Sequence, residues 1–219
     1  MRPGMTYTSA RGTGLRERKR ARTRATIVSA ALELFARNGY QATTLAQIAD
    51  AAEIAPSTLH AYFPAKEDIL FSGQDEARES ARMRILERPA NETLAEALLA
   101  WITDIVPEVF GADGEALVRQ GEIIGTDEAL IAARRLRHAL LEDTFAEVFA
   151  ADSGQSVDDL HPRLMASVVT NTFVTVWQWW YTHRTDEQPT RRKLYALDAT
   201  YVTRLIAAAD NALKAIPSP

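Results

Sequence analysis

The stretch Thr43–Leu70, "TTLAQIADAAEIAPSTLHAYFPAKEDIL", contains three helix starts in close succession. Thr44 is followed three residues later by Gln47, the spacing of a capping box in which each side chain satisfies a free backbone amide of the other residue. Leu45, Ile48, Ala49 and Ala52 then fall on one helical face. Pro56 suits the first turn of a second helix, which turns Leu59 and Tyr62 inward and ends at Pro64. Lys66 opens a third. A helix of about two turns does not stand alone, because nucleation is costly and isolated helices need roughly a dozen residues. Helices this short bury a core only when they cross one another. The spacing therefore predicts a helix-turn-helix, with the second helix presented outward and its neighbours supplying the core. Small Ala49 lets the pair cross closely, and Ile54 plugs the turn. Glu53 is a departure, since that position favours glycine for its tolerance of positive φ.

Working outward, Ile27, Ala30, Ala31, Leu34 and Phe35 repeat at helical spacing, and Gly39 is a natural stop. Residues 1–14 lack periodicity. Downstream, the fourth helix is expected from Lys66 to about Arg88. Asn91 can cap the next, through Trp101 and Ile105, with Pro107 bending or ending it. A short segment follows at Glu115–Ile124. Thr126, with Asp127 and Glu128 behind it, starts a long helix that reaches Phe149 and closes near Gly154. Pro162 suits the first turn of the helix carrying "MASVVTNTFVTVWQWWYTHR". Thr190 can cap the last, whose apolar stripe is Leu194, Leu197, Tyr201, Leu205, Ala208 and Leu213. No alternating strand and no fixed-period repeat is found. The fold class is all-α, with about nine helices.

The 219-residue chain has no cysteine, which excludes disulfides, zinc–thiolate sites and thiol catalysis. No apolar run approaches the ~18 residues that span a bilayer, and the first 14 residues lack a signal-peptide core. A cytoplasmic location without membrane association is expected. The net charge of −4 is unevenly distributed. Residues 1–70 carry 10 Lys/Arg against 6 Asp/Glu, and the remainder 15 against 23, so an end at +4 adjoins a body at −8. Arg11, Arg16, Arg18, Lys19, Arg20, Arg22 and Arg24 face only Glu17. Such asymmetry points to an anion-binding end. It is also what a solvated tail would show.

An all-α enzyme and a helical interaction protein that never touches DNA are the competing classes. His60, His138, His161 and His183 lie far apart, with no H-E-x-x-H pair, and there is no G-x-S-x-G or Walker loop. "GADGEAL" has two glycines without a phosphate-loop lysine. No catalytic residue, metal site or cofactor is expected. The basic end and its capped helix starts argue against the interaction protein.

Residues ~16–71 resemble the DNA-binding domain of the tetracycline-repressor (TetR) family. The run "ALELFARNGYQATTLAQIADAAEIAPSTLHAYFPAKEDIL" carries the resemblance and is far more specific than a lone helix-turn-helix. It covers about a quarter of the chain. Composition and lack of periodicity make residues 1–15 a mobile basic arm, and the resemblance implies a helix-turn-helix domain over 16–65 and a helical regulatory and dimerisation domain over 66–219. It implies a ligand-responsive regulator of transcription, more naturally a repressor. Such a protein would bind a two-fold double-stranded DNA operator as a homodimer and release it on binding a small-molecule effector.

On this reading Ser57, Thr58 and His60 lie on the exposed face of the recognition helix, where they can reach base edges or phosphates. Ser57 can instead serve as a helix cap. Tyr62 matches a family position that reaches a phosphate, and its ring also fits core, as does Phe63. Lys66 is expected to hold its ammonium free for phosphate, and Thr44 to offer a helix start. Arg16, Arg20 and Arg24 share a face if the first helix begins early. Ala46 and Ala61 replace larger polar residues common in the family, leaving more of the readout to the arginines and to DNA shape. The family's dimer interface would be Pro162–Arg184 and Thr190–Ile216, although the same stripe fits intramolecular core. Its effector pocket would draw on Trp101, Phe145, Met165, Phe173, Trp177 and Trp180, which fit plain core equally well. Adjacent Trp179 and Trp180 point ~100° apart, so only one of them can face a given cavity. Asn171, Thr172, Thr175 and Gln178 are candidate buried polar anchors, and the −8 body favours a neutral or cationic ligand.

Overall fold

The computed structural model describes residues 11–105, 115–183, 200–208 and 211. All regular structure among them is helical. The chain divides into two compact units after Leu70.

In the first unit, α1 runs Arg11–Asn38, α2 Leu45–Ala51, α3 Pro56–Tyr62 and α4 Lys66–Leu70. The start of α1 at Arg11 lies inside the stretch read as an arm; residues 1–10 fall outside the described residues. α1 ends where Gly39 takes φ 84°, a left-handed conformation that costs a residue without Cβ little. It packs on α2 and α4, and α2 packs on α3. The buried apolar residues Ile27, Ala31, Phe35, Ile48, Ala49, Leu59 and Phe63 follow the expected periodicity. Phe63 is core, as its position suggested.

The second unit begins with α5, Ser72–Leu86. The expected single helix from Lys66 to Arg88 is interrupted, because Phe71 leaves the helical conformation at φ −100°, ψ 6° and is fully buried. α6 runs Leu94–Ala100 and continues as a π-helical turn, Trp101–Ile105. Its cap is Thr93 rather than Asn91, because Thr93 and Glu96 form a reciprocal capping box that satisfies two free amides at once. α7 is Glu115–Gly125 and α8 is Glu128–Ser153. Asp127 rather than Thr126 caps α8: its carboxylate accepts the Ala129 and Leu130 amides, while the Thr126 hydroxyl donates back to Ile123. Gly154 closes α8 at φ 67°. α9 runs Leu160–His183, and residues 200–208 are helical (α10). Pro107 and Thr190 lie outside the described residues, as do the side chains of Trp177, Trp180 and Tyr181.

α8 packs most extensively on α9, then on α5. One apolar cluster joins them, with Ala81 and Ile85 from α5, Leu98 from α6, Phe145 and Phe149 from α8, Met165 and Val169 from α9, and Val202 from α10. Trp101 is buried at its centre. No helix of the described residues is long and apolar enough to cross a membrane.

Candidate nucleic-acid interface

The interface is built on the turn between α2 and α3. Thr44 caps α2, its hydroxyl accepting the Gln47 amide at 3.2 Å while the Gln47 side chain accepts the Thr44 amide at 2.8 Å. Thr43, beside it, is buried and donates to the carbonyls of Gly39 and Leu34 at 2.9 and 3.3 Å, fixing the approach from α1. After α2 the amide of Ile54 reaches the Ala49 carbonyl and that of Glu53 reaches Asp50, both at 3.0 Å. This pair of bonds is a Schellman closure, whose left-handed residue is usually glycine. Here it is Glu53, at φ 53°. The turn keeps its geometry and the side chain tolerates it.

α3 starts at Pro56, with Ala55 as a cap that makes no side-chain bond. Ser57, one residue further in, is therefore not the cap. Leu59 is fully buried, which fixes the rotation of the helix. Ser57, Thr58, His60 and Ala61 are consequently exposed, as is Ala46 on α2. Tyr62 is half-buried, and the Arg20 guanidinium lies 5.7 Å from its ring centre. Arg24, one turn along α1, stacks 4.4 Å from the ring of buried Phe63. Two arginines of α1 thus cover the C-terminal end of α3.

Lys66 differs from expectation, because its ammonium is not free. Nζ donates to the Tyr40 carbonyl at 2.7 Å and to that of Gln41 at 3.4 Å, and lies 4.5 Å from the Tyr40 ring centre. The Tyr40 carbonyl in this turn also accepts the Thr43 amide at 3.4 Å, and the long cationic side chain at the start of α4 ties the turn to that helix. Asp68 serves the same helix start, accepting the Ala65 amide at 2.9 Å. Thr43 and Asp68 escaped the sequence reading. Asp68 carried a signal, the reach-back spacing of three, whereas nothing distinguished Thr43 from its neighbour.

The profile of bacterial regulatory proteins of the tetR family matches residues 27–72. The transcriptional regulator TcmR of Streptomyces glaucescens, of the helix-turn-helix type, is 30% identical over 182 residues, which cover 80% of each chain. The chain belongs to the TetR family. It is a DNA-binding regulator of transcription. Among solved structures, the SmeT–triclosan complex covers 85% of this chain and 90% of its own, at TM-score 0.57 and 19% identity. FadR of Bacillus subtilis, in complex with stearoyl-CoA, covers 84% and 97%, at TM-score 0.55 and 22% identity. At these identities the likeness is one of fold.

In this TetR-family chain the expected effector residues of the larger unit come together in part. Trp101, Phe145 and Met165 are buried in one cluster, with Phe173 packed against it. The Trp101 and Phe145 rings meet edge-on at 5.7 Å, and Trp101 lies 5.6 Å from Phe173. The Trp101 indole donates to the Ser80 hydroxyl at 3.0 Å. Ser80 also lines an open groove of about 780 Å³ with Met83, Arg84, Glu87, Pro89, Asn91 and Glu92. Asn171, Thr175 and Gln178 are exposed rather than buried, because α9 turns Met165, Ala166, Val169 and Thr170 to the core instead. Thr172 is half-buried and bonds its own helix, at the Val168 carbonyl. Buried polar atoms without a hydrogen-bond partner include the Thr170 hydroxyl on α9 and, one turn apart on α5, Oε1 of Gln74 and Nε of Arg78. Burial, then the neighbouring Arg134, holds His138 below the usual imidazole range.

Proposed function

We propose that the chain is a ligand-responsive repressor that binds a two-fold operator as a homodimer. The observation that carries the homodimer is the division of α10. Val202 is buried and Ile206 packs on the core, whereas Tyr201 and Leu205 on the other side are 51% and 42% exposed. The described members of the apolar stripe thus point away from this chain's core. Trp179, 50% exposed, and Leu164 give α9 an outward apolar character as well. Two copies would bury these surfaces as a four-helix interface and offer two recognition helices to successive major grooves.

At each half-site, Thr58, Ser57 and His60 would meet base edges or phosphates, and Tyr62 and Arg24 would meet the backbone beyond them. Thr44 and Lys66 would contact phosphate from helix starts, each while keeping its structural bonds. The effector would enter the aromatic cluster of Trp101, Phe145, Met165 and Phe173. Trp177 and Trp180 are on the same helix as Phe173, and Gln74 and Arg78 would supply polar contacts. It would act only through its differential affinity for the DNA-binding and released states. Triclosan in the SmeT structure and the acyl chain of stearoyl-CoA in the FadR structure support a ligand with a large apolar part.

The test combines mobility shift on DNA upstream of the gene with sedimentation. The wild type should be a dimer that forms a specific complex. Tyr201→Glu with Leu205→Glu should give a folded monomer that loses it. A doubly substituted protein that stays dimeric and binds as before would overturn the interface.

A further inference from the structure

α1 is far longer than its core requires. It begins at Arg11, but among the described side chains the first buried one is Ile27, and none of residues 18–26 is buried. More than half of the helix therefore precedes the hydrophobic anchor. Its composition explains why it is nevertheless helical: Arg, Lys, Leu and Ala are strong helix formers. The same composition works against it, because Arg16, Arg20 and Arg24 stand at successive i,i+4 positions where like charges repel. Glu17 is the sole acidic residue between Arg11 and Arg24.

This row has a defined direction. Arg24 stacks on Phe63 and Arg20 on Tyr62, so its inner end sits on the C-terminal end of the recognition helix. Arg16 continues the line by one more turn, roughly 6 Å further at 1.5 Å per residue. Arg18 and Arg22 lie on the opposite face of α1, and Arg18 is turned back to the Gly14 carbonyl at 2.9 Å. A helix with one row of guanidiniums anchored beside a groove-reading helix, and continuing past it, suits a regularly charged polyanion. The DNA backbone flanking the base pairs read by α3 provides one, at about 3.4 Å per charge along each strand.

We propose that the N-terminal half of α1 is a second DNA-contact element, in which Arg16 and Arg20 grip phosphates outside the sequence read by α3. It enlarges the footprint and relieves the row's own repulsion. The proposal rests on the DNA-binding reading and adds a site to it. The face matters as well as the charge.

The test uses full-length protein and duplexes it selects from a randomised pool, with affinity followed by anisotropy between about 50 and 200 mM salt. Arg16→Gln with Arg20→Gln should reduce the slope of log affinity against log salt by about 1.8, two contacts at ~0.9 each. Hydroxyl-radical protection should shrink at the outer edges of the site while the selected sequence stays the same. Arg18→Gln with Arg22→Gln, which removes the same charge from the other face, should leave slope and footprint nearly unchanged. Equal losses from the two pairs would overturn the facing row in favour of general charge, and an unchanged slope in the first pair would overturn the contact. Arg16→Gln alone, two turns or more from the core, repeats the test with a loss of about 0.9 if the double variant melts early. Failure of the wild type to bind any duplex would sink the DNA-binding reading itself.

Discussion

The two units hold their helices together by different means. In the first, α2 and α3 have seven residues each, and the turns and helix starts around them are fixed by bonds from side chains to backbone: Thr43 to Gly39 and Leu34, Thr44 with Gln47, Asp68 to Ala65, and Lys66 to Tyr40 and Gln41, while α3 itself is seated by buried Leu59. In the second, α8 and α9 have 26 and 24 residues and rest on one broad apolar cluster. Local bonds specify geometry closely, which suits a unit that must present α3 at one rotation. A packed apolar cluster is less directional, since shape rather than bond angle holds it. The π-helical turn at Trp101 marks where its helical register is altered.

Phe145→Ala should give the largest effect of those considered. It removes a fully buried ring that meets Trp101 edge-on, and should cost about 3–5 kcal/mol in urea unfolding. A cost below about 1 kcal/mol would mean that the cluster collapses readily. That outcome would sharpen the contrast by showing the larger unit to be the deformable one.

Lys66→Ala probes the other side. Its hydrogen bonds to carbonyls carry a full charge, so the loss should be about 1.5–3 kcal/mol, read as a lower unfolding midpoint. A phosphate contact would add a shallower salt slope by about 0.9. Reduced stability with an unchanged slope would confine Lys66 to holding the turn. No change in stability would break the comparison, because the tie between α4 and the end of α1 would then carry nothing.

Legibility in the sequence follows the same division. The smaller unit could be read nearly residue by residue because its determinants are local: a Thr–Gln box, a proline at a helix start, a leucine among polar neighbours. Where the reading failed, as with the free ammonium expected of Lys66, the partner lay 26 residues away. In the larger unit, periodicity identified the helices but not which face meets which. Asn171, Thr175 and Gln178 looked like buried anchors because they sit among aromatics. Only the packing of α9 on α8 turns them outward. The helix break at Phe71 had no mark either, being neither proline nor glycine.

The smallest effect concerns the turn itself. Glu53 at φ 53° occupies a left-handed conformation that costs an L-residue roughly 1–2 kcal/mol, whereas glycine adopts it freely. Glycine also leaves the unfolded chain more freedom, which opposes the gain. Glu53→Gly should therefore stabilise the protein by about 1 kcal/mol or less, seen as a slightly higher urea midpoint with unchanged m. The exposed carboxylate is lost as well, so nonspecific DNA affinity should rise modestly at low salt and the difference should fade as salt increases. Destabilisation would show that the Glu53 side chain holds the turn through a contact of its own. The local bonds of Ile54 and Glu53 would then not suffice to close it.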